Sequence, residues 1–155
     1  GHHNKRPHNI LNSLLLSPKE LEDLIVQRYK RYEIIKENEQ KWDEYLVDDA
    51  DIVVVAYGAS SRISHTAVDM AREKGIKAGL LRPITLWPFP VKAFEALKET
   101  AKAFISCEMS MGQMVDDVRL AVECKKPVSF VGRTGGKIPT PNEVLNKIIE
   151  VGGGC

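Results

Sequence analysis

Two glycine-containing loops hold the residues best suited to binding an anion. Gly58-Ala59-Ser60-Ser61 follows an apolar run and opens a helical pattern, so its amides and two hydroxyls gather at a helix N-terminus. It has neither G-x-G-x-x-G nor G-x-x-x-x-G-K-[ST] spacing, and Ser60 or Ser61 acting only as a helix cap is the competing reading. Gly132-Arg133-Thr134-Gly135-Gly136-Lys137 joins two cations to a flexible backbone, again off the spacing of a phosphate loop; a structural turn or partner contact is the alternative. Glu108 ends an apolar run and would serve as an acid or base if buried. Otherwise it is solvated or pairs with a neighbour such as Arg82. His65 reads as isolated on its helix, with no ligand-spaced partner, so no metal or catalytic role is expected of it. No G-x-S-x-G elbow is present. Cys107, Cys124 and Cys155 include no C-x-x-C pair, which gives neither a disulfide framework nor a zinc ribbon nor a four-thiolate cluster. Cys107 reads as a core residue and Cys155 as an exposed thiol after Gly152-Gly153-Gly154. Met109, Met111 and Met114 are adaptable apolar groups suited to a partner surface, with core packing as the alternative.

The elements that must hold these residues alternate. Ile52–Tyr57 is continuously apolar and β-branched, as in a strand covered on both faces. A helix over 62–74 follows, with Val68, Met70 and Ala71 inward and Gly75 as its stop. The pattern then gives a strand at 76–81, a helix at 91–101, a strand at 103–107 and a helix at 111–124 opened by a Ser110/Gln113 capping box. A strand at 128–131 and a helix from Thr140-Pro141-Asn142-Glu143 to about Gly152 complete it. Strands alternating with helices of crossover length predict a parallel sheet with helices on both faces. Upstream, Ser17-Pro18-Lys19-Glu20 starts a long helix to about residue 41, with an apolar stripe at Leu21, Leu24, Ile25, Tyr32, Ile35 and Trp42. At roughly 35 Å it is long for so small a domain. Part of it is therefore expected against another domain or chain, the alternative being a helix that simply caps its own core. Trp42–Val47 reads either as the last turns of that helix or, the favoured reading, as a short strand at 44–47 turned back at Asp48-Asp49.

The composition sets bounds on this. With 155 residues, 43% hydrophobic and 28% charged, the chain fits one ordinary domain plus an appendage. A formal charge of +1 gives no global field for nucleic acid or acidic lipid. The apolar runs fall far short of the ~20 residues of a membrane helix, and no secretory pattern is visible, so a cytoplasmic location is expected. Residues 17–51 hold six basic and eleven acidic side chains, residues 52–155 fourteen and ten, which marks a boundary near residue 50.

Several stretches carry a resemblance. Val53–Gly58, Leu80-Leu81-Arg82-Pro83-Ile84-Thr85-Leu86-Trp87-Pro88-Phe89-Pro90 and Glu108-Met109-Ser110-Met111-Gly112-Gln113-Met114-Val115-Asp116-Asp117-Val118-Arg119 resemble 2-oxoacid:ferredoxin oxidoreductases. Gly132–Gly136 followed by Ile138-Pro139-Thr140-Pro141 is similar to the 3-methyl-2-oxobutanoate (ketoisovalerate) type. The resemblance spans about residues 45–150 and implies a three-layer α/β/α, transketolase C-terminal-like fold with five strands, one of them antiparallel. It implies linker or tag remnant at 1–16, a connecting helix at 17–43, the domain at 44–152 and a flexible tail at 153–155. In such complexes a 2-oxoacid and coenzyme A give acyl-CoA and carbon dioxide while ferredoxin is reduced. Thiamine diphosphate, magnesium and iron–sulfur clusters belong to the full complex. The G-D-G magnesium–diphosphate motif is absent from this sequence, so no cofactor and no catalytic residue is expected here. The implied task is assembly, with Trp87, Met109, Met111 and Met114 as interface candidates. The implied partners are the other subunits, with ferredoxin and coenzyme A acting on the whole, and a homodimer is also compatible. The alternative reading is a free-standing flavodoxin-like module holding a phosphate or nucleotide at Gly58–Ser61.

Overall fold

A computed structural model describes residues 3–9, 12 and 14–153. The chain divides into two compact units, Gly1–Ile35 and Lys36–Cys155. The first holds most of helix α1 (Pro18–Asn38), which ends short of the predicted residue 41 and has no buried residue. Leu24, Tyr32 and Ile35 of its stripe are half-buried, Leu21 and Ile25 exposed. Trp42 belongs not to this helix but to the first strand.

The second unit contains β1 (Trp42–Tyr45), β2 (Ile52–Ala56), α2 (Gly58–Glu73), β3 (Ala78–Pro83), α3 (Lys92–Thr100), β4 (Ala103–Glu108), α4 (Met114–Ala121), β5 (Val128–Gly132) and α5 (Pro141–Gly152). The sheet order is β1-β3-β2-β4-β5. β1 is antiparallel to β3 and every other pair is parallel. Side-chain alternation sorts the strands' apolar residues onto two cores. Val53, Val55, Leu81 and Phe104 pack against Phe94 and Leu97 of α3 and Met114 and Val118 of α4. Ile52, Val54, Ala56, Ile105 and Cys107 pack against Ala67, Val68 and Ala71 of α2 and Val144, Leu145 and Ile148 of α5. The result is the expected three-layer α/β/α arrangement, with one antiparallel strand.

Some boundaries move for physical reasons. The antiparallel strand runs over 42–45 rather than 44–47, because Leu46 takes φ +52° and turns the chain out of the ladder. Gly79 lies beneath that turn, and a methyl group there would meet the Leu46 carbonyl oxygen at 2.6 Å. Arg72 holds the same turn. It donates to the carbonyl oxygens of Ala78 (2.6 Å) and Leu46 (2.7 Å) and to both carboxylate oxygens of Asp49 (3.0 and 2.7 Å). The Thr140 capping box is present: Glu143 N–H donates to Thr140 Oγ1 and Thr140 N–H to Glu143 Oε2. No helix among the described residues is long and apolar enough to cross a membrane.

Candidate functional site

Ligands of open parallel sheets bind beyond the strand carboxyl ends, where connections diverge. Here β2 leads through α2 to β3 on one side, and β4 leads through α4 to β5 on the other, so the divergence lies between β2 and β4. One wall is Tyr57–Ser61, the other Glu108–Gln113.

Glu108 decides what the second wall can do. Its side chain is 2% exposed. Oε1 accepts from Ser106 Oγ (2.9 Å) and the Val115 amide (2.8 Å). Oε2 accepts from Ser110 Oγ (2.9 Å) and the amides of Gln113 (2.9 Å) and Met114 (3.0 Å). Burial pushes this carboxyl up, but the amides and hydroxyls outweigh it and hold it below the ordinary glutamate range. The carboxylate is therefore neither solvated nor paired with Arg82, which bonds Asp43 instead (3.1 Å), nor placed as an acid or base. It is the N-terminal cap of α4, supplied from the preceding strand. That replaces the Ser110/Gln113 capping box: α4 begins at Met114, Gln113 makes no side-chain cap, and Ser110 Oγ accepts from the Gly112 amide (3.1 Å). The signal available in the sequence was an acidic residue just ahead of a helix start, where the helix dipole favours it.

The first wall departs from expectation too. Neither serine caps α2, whose N-cap is Tyr57 without a side-chain bond. Ser61 Oγ donates to the Gly58 carbonyl (2.8 Å), while Ser60 and the buried Ser64 face the Cys107 thiol. Burial raises the Cys107 pKa, so the thiol is kept protonated. A cavity of about 400 Å³ opens beside this wall, lined by Gly58, Ala59, Ser61, Arg62 and Arg82. The other loop does not join it. Arg133 pairs with Glu143, Gly135 and Gly136 stand in open space, and β5 is two strands from β2, roughly 10 Å at ordinary strand spacing.

His65 is not isolated. Asp69, four residues on, lies 3.3 Å from its Nδ1, and Tyr45 stacks on its ring while donating to Asp69 (2.7 Å). The trio ties α2 to β1. Cys155 lies outside the described residues. Among the described residues no group of three or more His, Cys, Asp or Glu side chains converges as a metal ion requires. These side chains do not supply a donor set that fits magnesium-bound thiamine diphosphate.

What the carboxyl edge does present is apolar surface. Tyr57, Ile84, Leu86, Trp87, Met109 and Met111 are exposed, Trp87 to 55% and Met111 to 84%. Met114 departs from its reading as an interface residue: it is 4% exposed, in the core beneath Glu108.

Residues 50–144 match the family model described as pyruvate:ferredoxin oxidoreductase core domain II. The chain belongs to that family. Ketoisovalerate oxidoreductase subunit VorB of Methanothermobacter thermautotrophicus is 48% identical over 145 residues, covering 94% of this chain and 41% of that protein. The chain thus spans about two fifths of the length of that relative. Among solved structures, 2-oxoglutarate:ferredoxin oxidoreductase from Magnetococcus marinus has a TM-score of 0.73 at 22% identity, over 88% of this chain and 24% of that one. A split-gene transketolase has a TM-score of 0.60 at 18% identity, over 71% and 40%. At these identities the two structures speak for the fold, a transketolase-like core domain II.

Proposed function

We propose that this chain is the C-terminal structural and interface domain of a thiamine-diphosphate-dependent 2-oxoacid:ferredoxin oxidoreductase subunit, acting on branched-chain 2-oxoacids. The domain begins with β1 at Trp42 and ends with α5, and α1 (Pro18–Asn38) is its connecting helix. The similarity to a ketoisovalerate oxidoreductase subunit over 94% of the chain carries this reading. In the complete enzyme a 2-oxoacid and coenzyme A become acyl-CoA and carbon dioxide while ferredoxin is reduced. Thiamine diphosphate, magnesium and iron–sulfur clusters are held by modules outside this chain, and the complex works in the cytoplasm. The chain's contribution is a rigid sheet whose carboxyl edge, with Trp87, Met109 and Met111, faces the other subunits. The consumption of Glu108 in capping α4 supports a scaffold over a catalytic module.

A chimera tests it. The matching segment of Methanothermobacter VorB is replaced by this chain, the complex purified, and ferredoxin reduction driven by 3-methyl-2-oxobutanoate measured. Retained turnover supports the reading, and a folded, assembled chimera without turnover overturns it. The isolated chain is expected to turn over no 2-oxoacid and to bind no thiamine diphosphate. Calorimetry with flavin mononucleotide or inorganic phosphate checks the cavity at Gly58–Arg62. Micromolar binding lost in Arg62→Ala would favour the flavodoxin-like module instead.

A further inference from the structure

Of the second unit's five arginines, Arg72, Arg82, Arg119 and Arg133 each meet a carboxylate of the same chain. Among the described residues none lies within ion-pair distance of Arg62. Arg62 stands near the N-terminal end of α2, a helix with no acidic residue in its first turn. Its guanidinium and that of Arg82 line one cavity with Gly58, Ala59 and Ser61. Between them the two arginines hold a single carboxylate, Asp43, which takes one bond from Arg82 Nη1 (3.1 Å). Each guanidinium has five N–H donors, so most of this capacity is unspent. The loops that carry the two arginines also expose Tyr57, Ile84 and Leu86.

We infer that this cavity receives an acidic side chain of a different subunit, on a segment whose flanking apolar residues cover Tyr57, Ile84 and Leu86. The inference rests on the assembly proposed above and names the chemistry of the partner at that edge. Charge complementarity carries it. The segments leaving the strand carboxyl ends, 57–62, 82–91, 109–113 and 132–140, hold Arg62, Arg82, Arg133 and Lys137 but no aspartate or glutamate. A carboxylate brought to this edge therefore meets cations and no opposing like charge. A free anion would neutralise the arginines yet leave the apolar side chains beside them in water. A second copy presenting the same edge across a two-fold axis would set arginine against arginine. An acidic segment of another subunit satisfies both the charge and the apolar surface, and the planar fork of Arg62 matches a carboxylate through two parallel bonds.

The test uses the VorB chimera, its assembly titrated at about 0.05 M and about 0.5 M salt. Arg62→Glu should weaken subunit association at least roughly tenfold at the lower ionic strength, and the gap should narrow at the higher one. Arg62→Lys keeps the charge and adds an amine. Treated with a carbodiimide, which joins amines directly to carboxylates, that variant should be linked from position 62 to an aspartate or glutamate of another subunit, identified by mass spectrometry. If Arg62→Glu fails to fold, the cross-link decides. Association of Arg62→Glu equal to the parent's at both ionic strengths overturns the inference. So does a cross-link from position 62 that stays within its own chain, or none at all. In these cases an assembled, active chimera leaves the reading of the domain standing. A chimera that does not assemble overturns both, as does inorganic phosphate held at micromolar concentration by the isolated chain and lost in Arg62→Ala.

Discussion

Glu108 closes β4 with a carboxylate whose oxygens are taken by Ser106 and Val115 on one side and by Ser110, Gln113 and Met114 on the other. Both oxygens accept from backbone amides, so no amide side chain can stand in for it. In Glu108→Gln the new NH₂ would confront an amide N–H. We expect that variant to lose about 2–4 kcal/mol, the range for an unpaired buried donor beside a lost charged acceptor. Thermal unfolding should then fall by roughly 5–15 °C. The pH dependence has a definite sign. The folded pKa is depressed, so the stabilisation is complete above the unfolded value of roughly 4.3 and is lost as pH falls through the folded value. Melting curves of parent and Glu108→Gln should lie farthest apart near neutrality and converge in acid. A constant gap down to the acid transition would show that the charge is not what stabilises the cap. Sequence reasoning left Glu108 between acid/base and solvated roles because its partners follow no spacing rule. They come from a strand neighbour, a loop hydroxyl and three successive amides that only the fold brings together.

At the scale of elements, the sheet was legible because β2 and β4 are continuous β-branched or apolar runs buried on both faces, and α5 because its capping box is local. The edge strand was placed two residues late, since its limits are set across the chain by Arg72, Gly79 and the Leu46 turn rather than by its own alternation. Both of these residues are testable. Arg72→Ala removes four hydrogen bonds, two of them to Asp49, and should cost about 2–3 kcal/mol. Gly79→Ala should cost a similar 1–3 kcal/mol, about the figure for overpacking, because its methyl meets backbone that cannot swing aside. In both variants native-state hydrogen exchange should show β1 amides opening first while β2 and β4 stay protected. Uniform loss across the sheet would mean that the turn is not a separate clasp.

At the scale of the whole molecule, charged and apolar surface are distributed unequally, and this bears on the proposed assembly. The segments leaving the strand carboxyl ends, 57–62, 82–91, 109–113 and 132–140, carry Arg62, Arg82, Arg133 and Lys137 but no carboxylate. They also carry Trp87 and Met111, whose exposure a monomer has no folding reason to maintain. Sequence alone named these two residues, but it also named Met114, because spacing cannot tell a helix's inward first turn from the loop before it. Covering a half-exposed indole and a largely exposed thioether is worth roughly 2–4 kcal/mol at ordinary apolar burial. The double variant Trp87→Ser/Met111→Ser, placed in the VorB chimera, should therefore weaken subunit association about 30–1,000-fold, the same energy expressed as an equilibrium constant. In the isolated chain these residues support little of the core, and its melting midpoint should move by no more than about 2 °C. Titrating the chimera's assembly by native mass spectrometry, alongside calorimetry of the isolated domain, separates the two. Intact assembly with a destabilised domain would assign both residues to folding, whereas lost assembly with an unshifted midpoint places the subunit contact on the carboxyl edge.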